Sequence, residues 1–369
     1  MRQLIALIQA AFTMLSCTQA AAEPEPVQPP PPQPQSVTLA AVGDNLIHDV
    51  IYQQARTDNG YDFKPAYSKI QNLIFDADIA FINQETPMHP ERPPSNYPMF
   101  NTPVQMSEDL AALGFDVVNI SNNHMLDMGA EGLSKTIEQI RGTQGLLLTG
   151  AWQNANEHNI IPITEKNGIT FAFLGFAEYT NSGRPASAKE MLCYTDEREL
   201  VLRLVGLARK QADVVVVSVH WGNENVTQPT AAQREFAEAL AGLGVDVILG
   251  THPHVLQPLE RIKKAGGGET LVYYSLGNFI SAQAQPQNLI SGIASVTFTR
   301  ELDSGKVSIT ANDFIPLITH YGGSYRELSL YPLSAYSDEL AAQHGIRTWL
   351  GYRFDIAYIR DFLAGLTLK

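Results

Sequence analysis

Residues 244–255 read GVDVILGTHPHV, and the class of fold turns on how this stretch is read. Val245 to Leu249 is a short apolar run bounded by Gly244 and Gly250, the signature of a strand buried in a core. It delivers His252 and His254 just past its end. If residues 252–254 stay extended, both imidazoles point to one side of the chain, because strand side chains repeat with period two. Pro253 between them holds its own φ near about −65° and steers His252 away from helix. Taken alone, the triplet reads equally well as two loop histidines facing water.

The same pattern recurs upstream. VTLAAVGD ends on Asp44, DADIAFINQE on Glu85, FDVVNISNNH on Asn123 and His124, and ADVVVVSVH on His220. Open α/β sheets bind their ligands outside the carboxyl ends of the strands, so residues far apart in sequence can converge on one edge. Asp44, Glu85, Asn123, His220, His252 and His254 are therefore candidate metal ligands. An amphipathic helix, Thr230 to Leu243, with Phe236, Leu240 and Leu243 on one face, links the strand ending at His220 to the strand at 245–249. Strand, helix and strand with short links make a βαβ unit, so the chain is an α/β protein.

Several further residues belong near that edge. His48 follows Asp44 by four positions and shares its side if a helix begins by Asn45, which makes it a ligand candidate or a surface histidine of a first turn. Asp127 follows His124 closely; it would either orient that imidazole for proton donation or cap the helix from Ala130 to Arg141. Glu224 reaches the edge with His220, and Asn278 ends the apolar run LVYYSLGN; both are candidates for substrate contact, as is Arg184 in the loop AEYTNSGRP. Met88 to Pro103 holds five prolines, at 90, 93, 94, 98 and 103, and reads as a long loop beside the site. Residues 61–76 read as a loop and an amphipathic helix, 145–148 and 170–175 as strands, and 197–211 as a helix. The last hundred residues give strands at 294–299 and 307–310 and a helix at 354–366, with no evident chemistry.

The chain has 369 residues, 44% of them hydrophobic, enough for a large core. Its net charge of −13 argues against nonspecific binding to nucleic acid or to an anionic membrane surface. Residues 1–20, MRQLIALIQAAFTMLSCTQA, read as a signal peptide, and the context of Cys17 resembles a bacterial lipoprotein signal, with ordinary cleavage near Ala20 as the alternative. Residues 21–36 form a proline-rich linker, a semi-rigid spacer. With Cys17 lipidated or removed, Cys193 stands alone and no internal disulfide is expected.

GDNLIH, INQETP, SNNHMLDMGAEGL, HWGNE, GTHPHVLQ and YSLGNF resemble, in order and spacing, the CapA family of bacterial poly-γ-glutamate capsule synthesis proteins, over 37–333. Residues 334–369 then form a C-terminal helical extension. That family is similar in turn to the calcineurin-like metallophosphatases. The resemblance implies a four-layer α/β/β/α sandwich gathering one or two divalent ions, of which Mn, Fe or Zn suits a mixed N/O donor set. By motif, Asp44 resembles the first acidic ligand, Glu85 a bridging Asp, Asn123 with His124 an Asn-His pair, and His220, His252 and His254 the later histidines. The sequence departs in having Asn45 and Leu46 where Asp-x-His is usual, with His48 as the substitute, and in the extra methylene of Glu85.

The function implied is a cell-envelope protein of capsule polymer synthesis or export, probed through a metal-dependent hydrolase or transferase site in which His124 is the proton donor. Its alternatives are a phosphoesterase unrelated to capsule and a non-catalytic polymer-binding export component. The partners implied are an anionic polymer or phosphate-containing substrate and membrane capsule synthases, with attachment to the membrane by a lipid anchor only.

Overall fold

Val214–His220 is a strand in which every residue is buried, and its side chains divide by parity. Val214 and Val216 enter one core while Val215, Val217 and Val219 enter another. A strand covered on both faces needs no polar side, which is why its sequence is an unbroken apolar run. Burying each such side chain contributes about 1.5–3 kcal/mol relative to leaving it exposed.

The structure is a computed structural model that describes residues 35–368. The expectations for a signal segment, Cys17 and almost all of the proline-rich linker lie outside the described residues. Among the described residues, besides a two-stranded ribbon of Arg56–Thr57 and Gly60–Tyr61, fourteen strands make two large sheets. In chain order they are β1 (Gln35–Asn45), β2 (Ile79–Gln84), β3 (Val117–Asn119), β4 (Leu147–Thr149), β5 (Ile163–Lys166), β6 (Ile169–Ala177) and β7 (Val214–His220), followed by β8 (Val247–Thr251), β9 (Leu256–Lys263), β10 (Glu269–Leu276), β11 (Asn278–Ile280), β12 (Ile290–Arg300), β13 (Val307–His320) and β14 (Ser329–Pro332). The eight-stranded sheet runs β14-β13-β12-β1-β2-β3-β4, with β11 also paired to β1; the six-stranded sheet runs β9-β10-β8-β7-β6-β5. The strands that carry the motifs, β1 to β3 in one sheet and β7 and β8 in the other, are parallel to their motif-bearing neighbours.

The sheets stack face to face. Phe81 of β2 lies over Phe173 of β6 at 6.2 Å, and Phe171 of β6 meets Phe298 of β12 edge-on at 5.2 Å. Helices α1 (Gln105–Ala112) and α2 (Gly129–Gly142) bury Leu110, Leu133, Ile137 and Ile140 in the core that includes the eight-stranded sheet. On the outer face of the other sheet, α3 (Arg198–Gln211) and α4 (Ala231–Gly242) bury Leu204, Val205, Phe236 and Leu240. The layers are thus helix, sheet, sheet, helix, the four-layer sandwich expected. A capping box, Thr230 with Gln233, starts α4.

Several boundaries differ from the sequence reading. Residues 61–76 hold two short helices, Lys64–Tyr67 and Gln71–Phe75, in place of one. The strand expected at 307–310 continues for 14 residues to His320. The last helix, α5 (Ile356–Ala364), begins after Asp355, whose side chain accepts from the Tyr358 amide. Residues 334–368 belong to the same compact unit as the sheets, and the Leu259 amide donates to Thr367 O.

The chain steps from one sheet to the other at Gly277, between β10 and β11. Its φ of +67° is one that L side chains rarely adopt. Opposite lies Gly43, where an added Cβ would sit 1.9 Å from Gly277 O. We expect Gly43→Ala to cost about 2 kcal/mol or more, since backbone on both sides must move; a melting temperature equal to wild type would contradict this.

His344 and His320 give the fold an acid sensitivity. His344 Nδ1 accepts from Ile346 N at 3.0 Å and its Nε2 donates to Thr319 O at 3.0 Å, so the neutral ring serves both bonds. Burial pushes His344 down to about 3, and burial with the nearby Lys69 charge pushes His320 down to about 4. Both rings stay neutral in the folded chain but take up a proton near about 6.5 when it unfolds. Stability from this pair is therefore complete above about pH 6.5 and declines as pH falls toward 4, by about 1.4 kcal/mol per pH unit per histidine. Thermal melts between pH 7.5 and 4.5 should show a shallower decline for His344→Asn than for wild type; equal slopes would remove His344 as a cause.

Candidate metal centre

The first ligand is set by a bulge. Between Val42 and Asp44 the β1/β2 register slips, so that Val42 opposes Ile82 while Asp44 opposes Asn83. Asn83 in turn opposes Asn119 of β3. Across these three strand ends, Asn119 Nδ2 donates to Asn83 Oδ1 at 2.8 Å and Asn83 Nδ2 to Asp44 Oδ1 at 2.8 Å. The ladder aims Asp44 at the opposite sheet, where its Oδ2 accepts from the His252 amide at 3.1 Å and lies 3.2 Å from His254 Nδ1. The carboxyl ends of two stacked sheets, and not a single edge, therefore build the site.

His252 and His254 do not continue the strand. β8 stops at Thr251, and the two histidines take φ of 94° and 59°. The expectation of an extended triplet is corrected here: side chains share a side through two left-handed residues flanking Pro253. Such backbone costs of order 1–3 kcal/mol per residue and persists where the surroundings enforce it. Here the Asp44 carboxylate and Asn225, whose amide donates to Pro253 O at 2.8 Å, hold the turn.

Glu85 follows β2 and sits at the centre. Its Oε1 lies 3.7 Å from His220 Nε2 and 3.7 Å from His254 Nε2. Donor atoms of Glu85, His252 and His254 lie within 4.8 Å of one another. His220 Nδ1 pairs with Thr251 Oγ1 at 2.9 Å, leaving Nε2 toward Glu85 and 2.9 Å from Asn123 Oδ1. His254 Nδ1 faces Asn278 Oδ1 at 2.9 Å.

Three buried atoms in this cluster have no hydrogen-bond partner: Glu85 Oε1, Glu85 Oε2 and His252 Nδ1. A buried polar atom without a partner costs about 1–3 kcal/mol. All three are electron-pair donors, so the residues fit a divalent cation. The electrostatics agree. Burial, then the Asp44 charge, raises Glu85 well above the usual carboxylate range. Burial lowers His220 well below an ordinary imidazole and takes His252 down to about 3. Burial also opposes charge on His254, but Glu85 and Asp44 outweigh it and push the ring up to about 9.

His124 stands beside the cluster. Its Nδ1 lies 2.8 Å from Asp127 Oδ2, which also accepts from Phe100 N at 2.9 Å. The N-cap position of α2 is Met128, with no side-chain cap, so of the two readings of Asp127 the structure realises the one that orients His124. Phe100 packs edge-on against His124 at 4.8 Å and against His48 at 5.3 Å, which brings the proline-rich loop to the site.

The other expected residues make contacts of their own. The helix after β1 begins only at Asp49, and His48 is its N-cap, so the four-residue spacing from Asp44 does not set a shared helical face. His48 Nδ1 lies 3.2 Å from Leu46 O and accepts from Ala282 N at 3.3 Å. Asn278 turns its amide inward, to Ser281, Gln283 and Asn288 O, and holds His254. Arg184 grips Asp196 at 2.9 and 3.0 Å and lies over the Tyr194 ring. Glu224 is exposed on the turn after β7. Asn83, Asn119 and Tyr179 were invisible to the sequence reading: the first two lie inside the runs DADIAFINQE and FDVVNISNNH, whose ends are later residues, and Tyr179 lies in a loop without periodicity.

Two stacked sheets flanked by helices, with carboxylate, amide and imidazole donors buried at their strand ends, define a four-layer α/β/β/α sandwich with a candidate metal centre. The chain belongs to the bacterial capsule synthesis protein PGA_cap family, whose model matches residues 38–283. It is 30% identical over 290 residues to the capsule biosynthesis protein CapA of Bacillus anthracis, covering 76% of this chain and 67% of that one. It is 32% identical over 205 residues to the PGA biosynthesis protein CapA of Bacillus subtilis, covering 55% of this chain and 52% of that one. The chain thus spans about half the length of the second relative. Among solved structures, the calcineurin-like phosphoesterase YfkN of Bacillus subtilis aligns with a TM-score of 0.47 and 17% identity, covering 77% of this chain and 91% of that one.

The Asn83 ladder is testable by itself. Asn83→Ala takes the amide donor from Asp44 Oδ1 and leaves the Asn119 amide with only its longer bond to Ser121 O, and we expect unfolding free energy to fall by about 1–3 kcal/mol. Denaturant titration indistinguishable from wild type would show that the ladder carries no weight.

Proposed function

We propose that this protein works at the cell envelope in the synthesis or export of poly-γ-glutamate or a related anionic capsule polymer, through a metal-dependent hydrolase or transferase site. The observation that carries the metal reading is the convergence of Glu85, His252 and His254 around three buried donor atoms without partners. Family membership and the capsule names of the relatives support the polymer. Asp44, Glu85, Asn123, His220, His252 and His254 are the proposed ligands, and their mixed oxygen and nitrogen donors suit Mn, Fe or Zn. A divalent ion supplies Lewis acidity there and lowers the pKa of its water toward about 7.

The chain's own residues do the rest. Asp127 accepts a hydrogen bond from Nδ1–H of His124 and steadies its imidazolium, so that Nε2 gives a proton to the leaving group. Asn278 and Thr251 fix the rings of His254 and His220. The His124–Asp127 pair favours catalysis over passive polymer binding, since a binding groove has no use for an oriented proton donor. The proposed route to the envelope is an N-terminus lipidated at Cys17 or cleaved near Ala20; among the described residues, no helix is long and apolar enough to cross a membrane. Membrane capsule synthases are the proposed partners.

Metal content of the purified chain decides the matter first. We expect one or two equivalents of Mn, Fe or Zn, lost in His252→Ala and Asp44→Ala variants that remain folded; a wild-type chain that takes up no ion from any of the three would end the hydrolase reading. Once a substrate is found by screening, Asp127→Asn should keep its metal yet lose about 10²–10⁴-fold in turnover, because the conservative change removes the orienting charge. Turnover within about threefold of wild type would take His124 out of proton transfer.

A further inference from the structure

Tyr179 carries none of the roles assigned above. It lies on the segment 178–184, which follows β6 and is fastened to both sheets' strand ends. Glu178 N donates to His220 O at 2.9 Å, Gly222 N donates to Glu178 Oε2 at 2.8 Å, and Asn181 N donates to Asn123 O at 2.8 Å. Ser182 Oγ donates to Leu126 O at 3.1 Å, and Arg184 closes the segment on Asp196. Tyr179 is thus presented from a fixed backbone. Its Oη lies 2.9 Å from His252 Nε2, and its ring meets the imidazole edge-on at 5.4 Å.

The three histidines of the cluster follow one rule. Each has a ring nitrogen beside a neutral side-chain oxygen: His220 Nδ1 at Thr251 Oγ1, its Nε2 also lying 2.9 Å from Asn123 Oδ1; His254 Nδ1 at Asn278 Oδ1, with Asp44 Oδ2 also 3.2 Å away; and His252 Nε2 at Tyr179 Oη. Metal-binding imidazoles usually give the hydrogen of the non-ligating nitrogen to such a partner, which fixes tautomer and ring orientation. Of the three rings, His252 alone has a buried Nδ1 without a hydrogen-bond partner, its Nε2 being the nitrogen engaged. A phenol oxygen carries its own hydrogen and still has lone pairs with which to accept another.

We infer that Tyr179 is the positioning residue for His252: it accepts the Nε2 hydrogen and thereby makes Nδ1, not Nε2, the electron-pair donor that this histidine offers to the candidate metal centre. The inference rests on the metal reading above and makes His252 differ from His220 and His254 in the nitrogen used. Loss of the phenol oxygen frees the ring to adopt either tautomer and to turn, while leaving the other two histidines as they are.

Two measurements on the full chain test it, one of which needs no metal. Two-bond ¹H–¹⁵N spectra of the metal-free protein should show His252 as the Nε2–H tautomer in wild type and as a mixture in Tyr179→Phe, with the His220 and His254 signals unmoved. Zinc titration against a chromophoric chelator should show Tyr179→Phe binding about 10–100-fold more weakly, the usual effect of removing such a partner. Phe keeps the edge-on packing, and equal thermal melts in chelator establish that the variant is folded. His252 as the Nδ1–H tautomer in wild type, or zinc affinity in Tyr179→Phe within about twofold of wild type, would overturn the inference alone. A wild-type chain that takes up no zinc, manganese or iron would overturn the metal reading, and this inference with it.

Discussion

The hydrogen bond from Asp44 N to Gly277 O, 3.0 Å long, joins the two halves of the molecule at the point where everything else is decided. Gly277 ends the six-stranded sheet and starts the short strand that pairs with β1 of the other sheet. Gly43 opposite it has no Cβ, so the two backbones can touch. Backbones this near bring the carboxyl ends of both sheets into reach of one another. Without that approach, Asp44 and Glu85 on one side would not meet His220, His252 and His254 on the other.

The cluster that results is electrostatically unfavourable for an ordinary core. Buried carboxylates and imidazoles are tolerated there because charge is exchanged among them: His254 holds a proton more tightly than a free imidazole while His220 and His252 hold one less tightly. Around them stand neutral amides and hydroxyls, Asn83, Asn119, Asn278 and Thr251, which fix orientation without adding charge. Stability is spent here on geometry, as is usual where a site and a core coincide.

How much of this the sequence discloses depends on the range of the interaction. Asp44, Glu85, Asn123, His220 and the pair at 252 and 254 were legible because an apolar run must stop somewhere, and a polar residue at its end is conspicuous. His124 with Asp127 was legible as a pair, though only the Met128 N-cap position and the Phe100 amide separate orientation from capping. The left-handed turn at His252 and His254 was not legible, because nothing local demands it; Asp44, 208 residues away, holds it. Helix start at Asp49 in place of Asn45 likewise follows from β1 extending through Asn45 to pair with β2 and β11. The part of Arg184 in bracing a loop, and that of Tyr179 in steadying a ring, lie in contacts that no periodicity records.

The distribution of the ligands along the chain bears on the order of assembly. Asp44 and His254 are 210 residues apart, and the strand that bridges the sheets comes later still. An emerging or translocating polypeptide therefore holds no more than a fraction of the proposed donor set until His254 has followed, and cannot join the sheets until residue 278 has followed as well. A chain passed through a membrane unfolded cannot bring its ion with it, so the compartment in which the two sheets dock is also the one whose metal supply determines what the centre contains.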